Sequence, residues 1–107
     1  MFKNLTQHKI VIQKPDGDRV EINPSGIVTR VSSKAEMLEV LDGIPLSRIV
    51  YGEVQDLPAP EYGVVFIVSG LVLGRVQNRL DLFAPDSGPT AIRENGNIVA
   101  VCGLVRG

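Results

Sequence analysis

The chain has few of the residues on which enzyme chemistry and nucleic-acid binding most often depend. Its 107 residues include one histidine, one cysteine and no tryptophan, and aromatic residues make up 5% of the sequence. One histidine without a neighbouring cysteine does not favour a metal site. Few aromatic rings leave few platforms for stacking single-stranded bases. The net charge of −1 argues against polymeric nucleic acid as a ligand, since several neutralised phosphates require a basic face.

Long apolar runs and cysteine pairs are also missing. The longest apolar run, residues 64–73, is interrupted by Ser69 and Gly70 and is about half as long as a bilayer crossing requires. The opening residues 1–4 become polar at once, so we expect no signal peptide. The lone Cys102 excludes an internal disulfide and fits a reducing compartment. These features predict a cytoplasmic protein without membrane contact.

The bulk composition predicts one folded domain over residues 1–107. Hydrophobic residues at 44% and charged residues at 21% are ordinary values for a globular protein. A chain of this length buries enough surface for a single core. We therefore expect no separate domain, no linker and no disordered segment.

The first half of the chain predicts a meander of strands. Residues 8–13 and 19–22 alternate between apolar and polar types around a turn-forming segment, which predicts a β-hairpin. Residues 27–31 are rich in β-branched types and predict a third strand. Residues 47–54 form a further extended run in which Gly52 can mark a bulge.

Two short segments predict helices. Ser33 and Glu36 have the spacing of a capping box, and the apolar residues that follow give one face until Asp42-Gly43 ends the helix. Ser69 can cap a second helix over residues 70–79.

The second half of the chain completes the predicted sheet. Residues 64–68 are continuously apolar, which is typical of a central strand covered on both faces. Residues 82–83 and 91–92 are extended, residues 94–97 form a hairpin turn, and residues 98–105 form a closing strand. The predicted fold class is α+β, with a mixed, mostly antiparallel sheet of six to eight strands and two short helices.

The polar candidates for a site lie around the second helix and in the loop near Arg93. Ser69 at the helix start can hold an anion with free amides or serve as a plain cap, and neither dinucleotide nor P-loop glycine motifs are present. Arg75, Asn78 and Arg79 lie on adjoining helical faces, as a binding group or as a solvated face. Arg93 can bind phosphate or form a salt bridge to Asp86 or Glu94.

The reactive side chains offer no recognisable catalytic pattern. His8 has no partner in a Ser-His-Asp arrangement and predicts a hydrogen-bonded structural histidine. Cys102 lies in the apolar run IVAVCGLV, which predicts a buried and inert thiol. We therefore predict no catalytic residue, no metal and no cofactor.

Three passages resemble small proteins encoded by phages and prophages. Residues 4–12 resemble the Asn-Leu-Thr-Pro-His start of these proteins, with Gln7 in place of the proline. Residues 84–93 resemble their carboxy-terminal loop, and residues 66–72 their strand-to-helix junction. The pattern is also similar to phage counter-defence sponge proteins of the Thoeris anti-defence kind.

The resemblance implies a protein that evades bacterial immunity by binding and not by catalysis. Its ligand would be a cyclic ADP-ribose isomer or a cyclic oligonucleotide, an anionic nucleotide-like molecule held intact between the subunits of a homodimer or a higher homo-oligomer. An inhibitor or adaptor that binds a host defence protein is the first alternative, and a phosphodiesterase acting on the same signals is the second. Tyr51 or Phe66 would supply a stacking surface. The predicted ligand-binding residues are Arg93, Asp86, Ser87, Arg48, Arg75, Asn78, Arg79, Ser69 and Phe66.

Overall fold

The computed structural model describes residues 1–107 and is dominated by strands, with one short helix. In chain order the elements are β1(Phe2–Asn4), β2(Ile10–Gln13), β3(Arg19–Ile22), β4(Arg30–Leu41), β5(Ile44–Gln55), β6(Val65–Ile67), α1(Gly70–Arg75), β7(Leu82–Pro85), β8(Ile92–Glu94), β9(Asn97–Ala100) and β10(Leu104–Val105). The β-rich, mixed character of the prediction is confirmed. Its numbers of helices and strands were wrong.

The core is built around β6, which is the second strand of a four-stranded sheet in the order β1-β6-β7-β10. β6 pairs in parallel with β1 and β7, and β10 pairs antiparallel to β7. Successive side chains of a strand point to opposite faces. Phe66 accordingly packs with Leu5 and Val72 on one face, and Ile67 packs with Ile10 and Val101 on the other. The predicted central strand, covered on both faces, is confirmed.

Three β-hairpins leave this body. β2 pairs with β3, β4 with β5, and β8 with β9, each as a two-stranded antiparallel sheet. The first and last of these were predicted, and the turn of the last contains Asn95 and Gly96 at positive φ. The predicted closing strand over residues 98–105 is divided into β9 and β10.

The middle hairpin corrects the predicted first helix. Residues 33–41 lie in β4, and the supposed helix end is the turn between the two strands. Asp42 and Gly43 have φ of 51° and 78°, and positive φ at both central residues is the geometry of a type I′ turn. Such a turn joins antiparallel strands, so the Asp-Gly pair directs the chain into a hairpin.

The predicted second helix is present but shorter than expected. Ser69 is its N-cap, and its hydroxyl oxygen accepts a hydrogen bond from the backbone N–H of Val72. α1 ends at Arg75 because Val76 is extended. Asn78 has a positive φ, so the chain has left the helix before the residues predicted for its last turn. No helix here is long and apolar enough to cross a bilayer.

The hairpin of β4 and β5 gives the molecule an elongated shape. Its radius of gyration is 16.6 Å, whereas a compact domain of this length has about 13 Å. Each of the two strands has 12 residues, which corresponds to about 40 Å of extended chain. We call residues 30–55 the arm.

Candidate functional site

The arm is anchored to the body only at its base. Val31 and Val54 face each other there and pack against the core cluster of Phe66 and Val72. Every residue from position 32 to 49 is exposed. The arm therefore projects as a free two-stranded ribbon whose outer edges have no neighbouring strand.

A β-bulge lies just above the base, at the glycine for which one was predicted. Val31 pairs with Val54 and Ser33 with Tyr51, so β5 has one residue more than β4 over this stretch. A Cβ added to Gly52 would meet the hydroxyl of Ser32. The bulge changes the direction of the ribbon, because a bulge bends its strand and increases the local twist.

One side of the arm is mostly apolar. Directly paired residues of an antiparallel ribbon point to the same side. The pairs on this side are Ser33–Tyr51, Ala35–Ile49, Met37–Ser47 and Val40–Pro45. Met37 is 63% and Ile49 54% exposed. We call Ala35, Met37, Val40, Pro45, Ile49 and Tyr51 the apolar side of the arm.

The other side of the arm is charged along its shaft and apolar at its end. Arg48, one of the predicted ligand-binding residues, donates a 2.9 Å hydrogen bond to a carboxylate oxygen of Glu36 on the facing strand. Leu41 and Ile44 form the last pair before the turn. We call residues 40–46 the arm tip. The predicted ligand-binding residue Arg48 thus lies on the charged side of the arm, where its guanidinium is bound to the Glu36 carboxylate.

Arg75 lies at the base of the arm and stacks on Tyr51. The guanidinium carbon is 4.3 Å from the centre of the tyrosine ring, within the range of a favourable cation–π contact. Tyr51 is thus covered in part by a side chain of this protein, and the contact links the base of the arm to α1.

Asn78 and Arg79 line a cleft of about 370 Å³ beyond the end of α1, together with Arg106. Arg79 is bound within the protein, since its guanidinium makes hydrogen bonds of 2.8 and 2.9 Å to the two carboxylate oxygens of Asp81 and one of 3.0 Å to the Pro58 carbonyl. This hydrogen-bonded pair raises the pKa of Arg79 and lowers the pKa of Asp81.

Arg106 was not among the predicted residues and contributes a second guanidinium to this cleft. It donates a 3.1 Å hydrogen bond to the Leu80 carbonyl and lies over the ring of Phe83. Nothing in the sequence near the carboxyl terminus connects Arg106 with Asn78, because the contact depends on how the chain folds.

The predicted ligand-binding residues of the loop around Arg93 form hydrogen bonds within the loop. Arg93 donates a 3.1 Å hydrogen bond to the Ser87 carbonyl, and the salt bridge to Asp86 or Glu94, the alternative to phosphate binding, is not formed. Asp86 accepts hydrogen bonds from the Gly88 N–H and the Thr90 hydroxyl. These contacts hold the shape of the loop.

Two further predicted ligand-binding residues, Phe66 and Ser69, stabilise the fold. Phe66 is 0% exposed in the centre of the core, so its ring is not accessible for stacking on a ligand. Ser69 caps α1, and the plain cap is the role that its hydrogen bond supports. The predicted set is therefore divided among the arm, the cleft beyond α1, the loop and the core, and the structure does not bring it together in one site.

The two side chains weighed as reactive groups are both on the surface. Cys102 is exposed, with its sulfur 3.3 Å from the Thr90 carbonyl, so the prediction of a buried thiol was wrong. The His8 side chain is exposed and makes no hydrogen bond, and only its carbonyl accepts bonds, from Asn4 and Thr6. No group of three His, Cys, Asp or Glu side chains is arranged to hold a metal ion.

The sequence prediction missed the features that are most prominent in the fold. The arm was missed because part of its sequence satisfies a helical pattern. The charged residues Asp42, in the turn of the arm, and Lys14, on the body, lie outside the predicted set of ligand-binding residues. A signal was present, since Asp-Gly between two apolar segments is a strong hairpin motif.

Comparison of the chain with protein-family models, with curated proteins and with solved structures gave no match in any of the three.

Proposed function

We propose that this protein is a non-catalytic binding protein that acts by contacting another protein through the apolar side of its arm. The observation on which this depends is the exposure of that side along a ribbon of about 40 Å. Soluble monomers rarely leave a contiguous apolar strip uncovered, and such strips are typical of protein–protein contact sites.

The chemistry of the arm fits a binding role. Met37 has a flexible side chain and Tyr51 an aromatic one, and protein interfaces favour both kinds at their centres. The ribbon also has two free edges, to which a partner strand can add by backbone hydrogen bonds. A partner with an apolar surface or an open strand edge would match both features.

The small core gives a second reason. Only 13 of the 107 residues are buried, and burial of apolar surface is the main favourable contribution to both folding and association. Covering the arm would remove further apolar surface from water. The resemblance to phage and prophage proteins makes a host defence protein the first class of partner to test.

Affinity capture from bacterial host lysate, followed by reconstitution with the purified captured protein, tests this function. Met37→Ser combined with Ile49→Ser removes the two most central apolar groups of the apolar side. The matched control is Lys34→Ser combined with Arg48→Ser on the opposite side of the same ribbon. We expect the control to bind as the unchanged protein does.

The apolar-side variant should lose at least about tenfold in affinity, since two truncated interface anchors together cost more than about 1.4 kcal/mol. Equal binding by the apolar-side variant and the control would contradict the proposal. Complete absence of a captured protein that forms a stoichiometric complex would contradict it as well.

A second candidate function is the sequestration of an anionic nucleotide-derived signal without cleavage. The cleft lined by Asn78, Arg79 and Arg106 favours it, because about 370 Å³ is within the range of small-molecule sites. Arg106 has guanidinium N–H groups beyond the one that binds the Leu80 carbonyl, and these can contact a phosphate.

Calorimetric titration with cyclic ADP-ribose isomers and with cyclic di- and trinucleotides tests this second function. Heating the complex should release intact ligand, identified by mass spectrometry. Arg106→Ala should abolish binding if the cleft is the site, and Arg93→Ala should abolish it if the loop is. Failure of every one of these nucleotides to bind would contradict sequestration.

A further inference from the structure

An apolar groove lies on the body, away from the arm. It has a volume of about 470 Å³ and is lined by 8 residues, of which 7 are hydrophobic. The lining residues are Phe2, Ile12, Lys14, Val20, Ile22, Val65, Phe83 and Leu104. Its floor comes from the central sheet and its wall from the hairpin of β2 and β3. No residue of the arm lines it.

The groove contains one charged group, the ammonium of Lys14. This side chain is exposed and forms no salt bridge and no hydrogen bond, whereas Lys3 and Lys9 are paired with Glu61 and Glu21. A lysine beside apolar walls, with no carboxylate of its own chain, can still pair with an anionic group that enters the groove.

The arm tip has the complementary composition. Between positions 40 and 46 the only charged residue is Asp42, and Val40, Leu41 and Ile44 around it are 58%, 55% and 61% exposed. The carboxylate of Asp42 makes no salt bridge and no hydrogen bond. The tip therefore presents one negative charge among apolar groups, and the groove presents one positive charge among apolar groups.

The tip does not reach the groove of its own chain. Residues 32–49 are exposed throughout, and the tip lies about 40 Å of extended chain from the base of the arm. A second copy of the chain can supply the groove. If each arm enters the groove of the other copy, the contact is made twice around one two-fold axis, which is the commonest symmetry of homo-oligomers.

We infer that the arm tip docks in the groove of a second copy of this chain, with Leu41 and Ile44 against its apolar walls and Asp42 paired with Lys14. This contact uses the end of the arm around Asp42 and leaves Met37, Ile49 and Tyr51 of the apolar side free, so it goes beyond the proposed function and does not depend on it. The buried apolar surface supplies affinity. The charge pair determines how the tip is positioned in the groove, because opposite charges attract at this position and like charges would repel.

Charge reversal tests the contact in the full chain, with sedimentation velocity over a range of protein concentrations as the measurement. We expect the unchanged protein to form a dimer. Asp42→Lys places two ammonium groups together, and Lys14→Glu places two carboxylates together. Each variant alone should dimerise at least tenfold more weakly than the unchanged protein.

Mixing the two variants is the decisive step. In the mixed dimer the lysine at position 42 meets the glutamate at position 14, and the unchanged Asp42 meets the unchanged Lys14. Both contacts are then complementary, so an equimolar mixture should recover the affinity of the unchanged protein. A misfolded arm cannot produce this recovery, since both partners would remain defective.

Three results would overturn the inference. They are a monomer at all concentrations, a dimer that both charge reversals leave unchanged, and two weakened variants that fail to recover on mixing. Capture of a host protein through the apolar side would survive any of these results, and Met37→Ser with Ile49→Ser should leave the dimer intact. The inference and the proposed function are thus tested separately.

Discussion

Arg79 and Asp81 are two positions apart and face each other in a two-pronged ion pair, with guanidinium nitrogens 2.8 and 2.9 Å from the two carboxylate oxygens. Both side chains are mostly shielded from water, at 18% and 20% exposure. The same guanidinium binds the Pro58 carbonyl, so the pair fastens the segment before β6 to the segment before β7. This arginine is a structural residue in the folded chain.

The pair predicts a loss of stability in acid. The hydrogen bond from Arg79 lowers the pKa of Asp81 in the folded state, so its stabilising effect is complete above the ordinary value of about 3.9 and is lost as the pH falls through the lowered pKa. Asp81→Asn should reduce the free energy of unfolding by about 1 kcal/mol at neutral pH.

Urea unfolding from neutral to acid pH measures this effect, and the difference between the unchanged protein and Asp81→Asn should shrink below about pH 4. Glu36→Gln is the matched control, because its partner Arg48 is on the exposed arm and such pairs contribute less than about 1 kcal/mol. A difference for Asp81→Asn that stays constant with pH would contradict the assignment.

Asn4 predicts a second effect on stability. Its side chain is 0% exposed, its amide donates to the carbonyls of His8 and Ile22 at 2.8 and 3.0 Å, and its oxygen accepts from the backbone N–H and the hydroxyl of Thr6. Asn4→Ala removes these four hydrogen bonds, while the Thr6 hydroxyl keeps its bond to the His8 carbonyl, and should cost about 2 to 3 kcal/mol.

Thermal unfolding compares Asn4→Ala with Asn97→Ala, which removes the same side chain from an exposed strand position. The exposed substitution should change the free energy of unfolding by no more than about 0.5 kcal/mol. Similar losses for the two variants would show that the hydrogen bonds of Asn4 do not stabilise the fold.

Gly52 predicts a coupled pair with Ser32. The Cβ of Gly52→Ala would meet the Ser32 hydroxyl, which must then leave its position, and we expect a cost of about 1 kcal/mol. Ser32→Ala removes the hydroxyl, and its Cβ is 3.6 Å from the new methyl group, an ordinary contact. The double variant should therefore be more stable than the sum of the single effects.

A double-mutant cycle in urea provides the measurement for this pair. The coupling between positions 32 and 52 should amount to at least about 0.5 kcal/mol, in the direction of relief. If Gly52→Ala costs the same with and without the serine hydroxyl, the conformation of the bulge requires the glycine, and the hydroxyl does not.

Much of the body could be predicted because local pattern and tertiary context agree there. The alternation before and after the turn at residues 14–18 gave the first hairpin, and the apolar run around Phe66 gave the central strand. Ser69 caps α1 as expected, since a cap depends only on its own backbone neighbours.

The arm could not be predicted from periodicity. Met37, Leu38, Val40 and Leu41 satisfy a helical spacing, and Ser33 with Glu36 satisfies a capping box, yet all six lie in β4. The facing strand β5 contains several β-branched residues, which favour a strand, and pairing with it satisfies the backbone of β4. Leu38 lies in a second bulge, which conceals the alternation of two.

The predicted ligand-binding residues are dispersed over the fold for a related reason. Arg48, Arg79 and Arg93 were grouped because guanidinium groups bind phosphate, but each is bound to an oxygen of its own chain. Charge alone does not show which arginines are free, because intramolecular partners depend on contacts that are distant in sequence. The unpaired charges of Lys14 and Asp42 became visible only in the fold.

Shortening the arm tests whether it serves folding or binding. Ser33 and Tyr51 pair directly, so residues 34–50 can be replaced by Asn-Gly, which forms a tight turn between paired strands. Val31 and Val54 keep their places against the core in this variant. Because the removed segment packs on no other element, the Tm should change by only a few degrees, since a loss of about 1 kcal/mol corresponds to about 4 to 8 °C in a domain of this size.

The shortened chain should lose both partner capture and self-association while keeping the amide spectrum of the body in nuclear magnetic resonance. Lys34→Ser combined with Arg48→Ser is the matched control, because it keeps the length, the apolar side and the tip of the arm. A shortened chain that unfolds would contradict the view that the body is independent of the arm, and one that still binds its partner would exclude the arm as the contact.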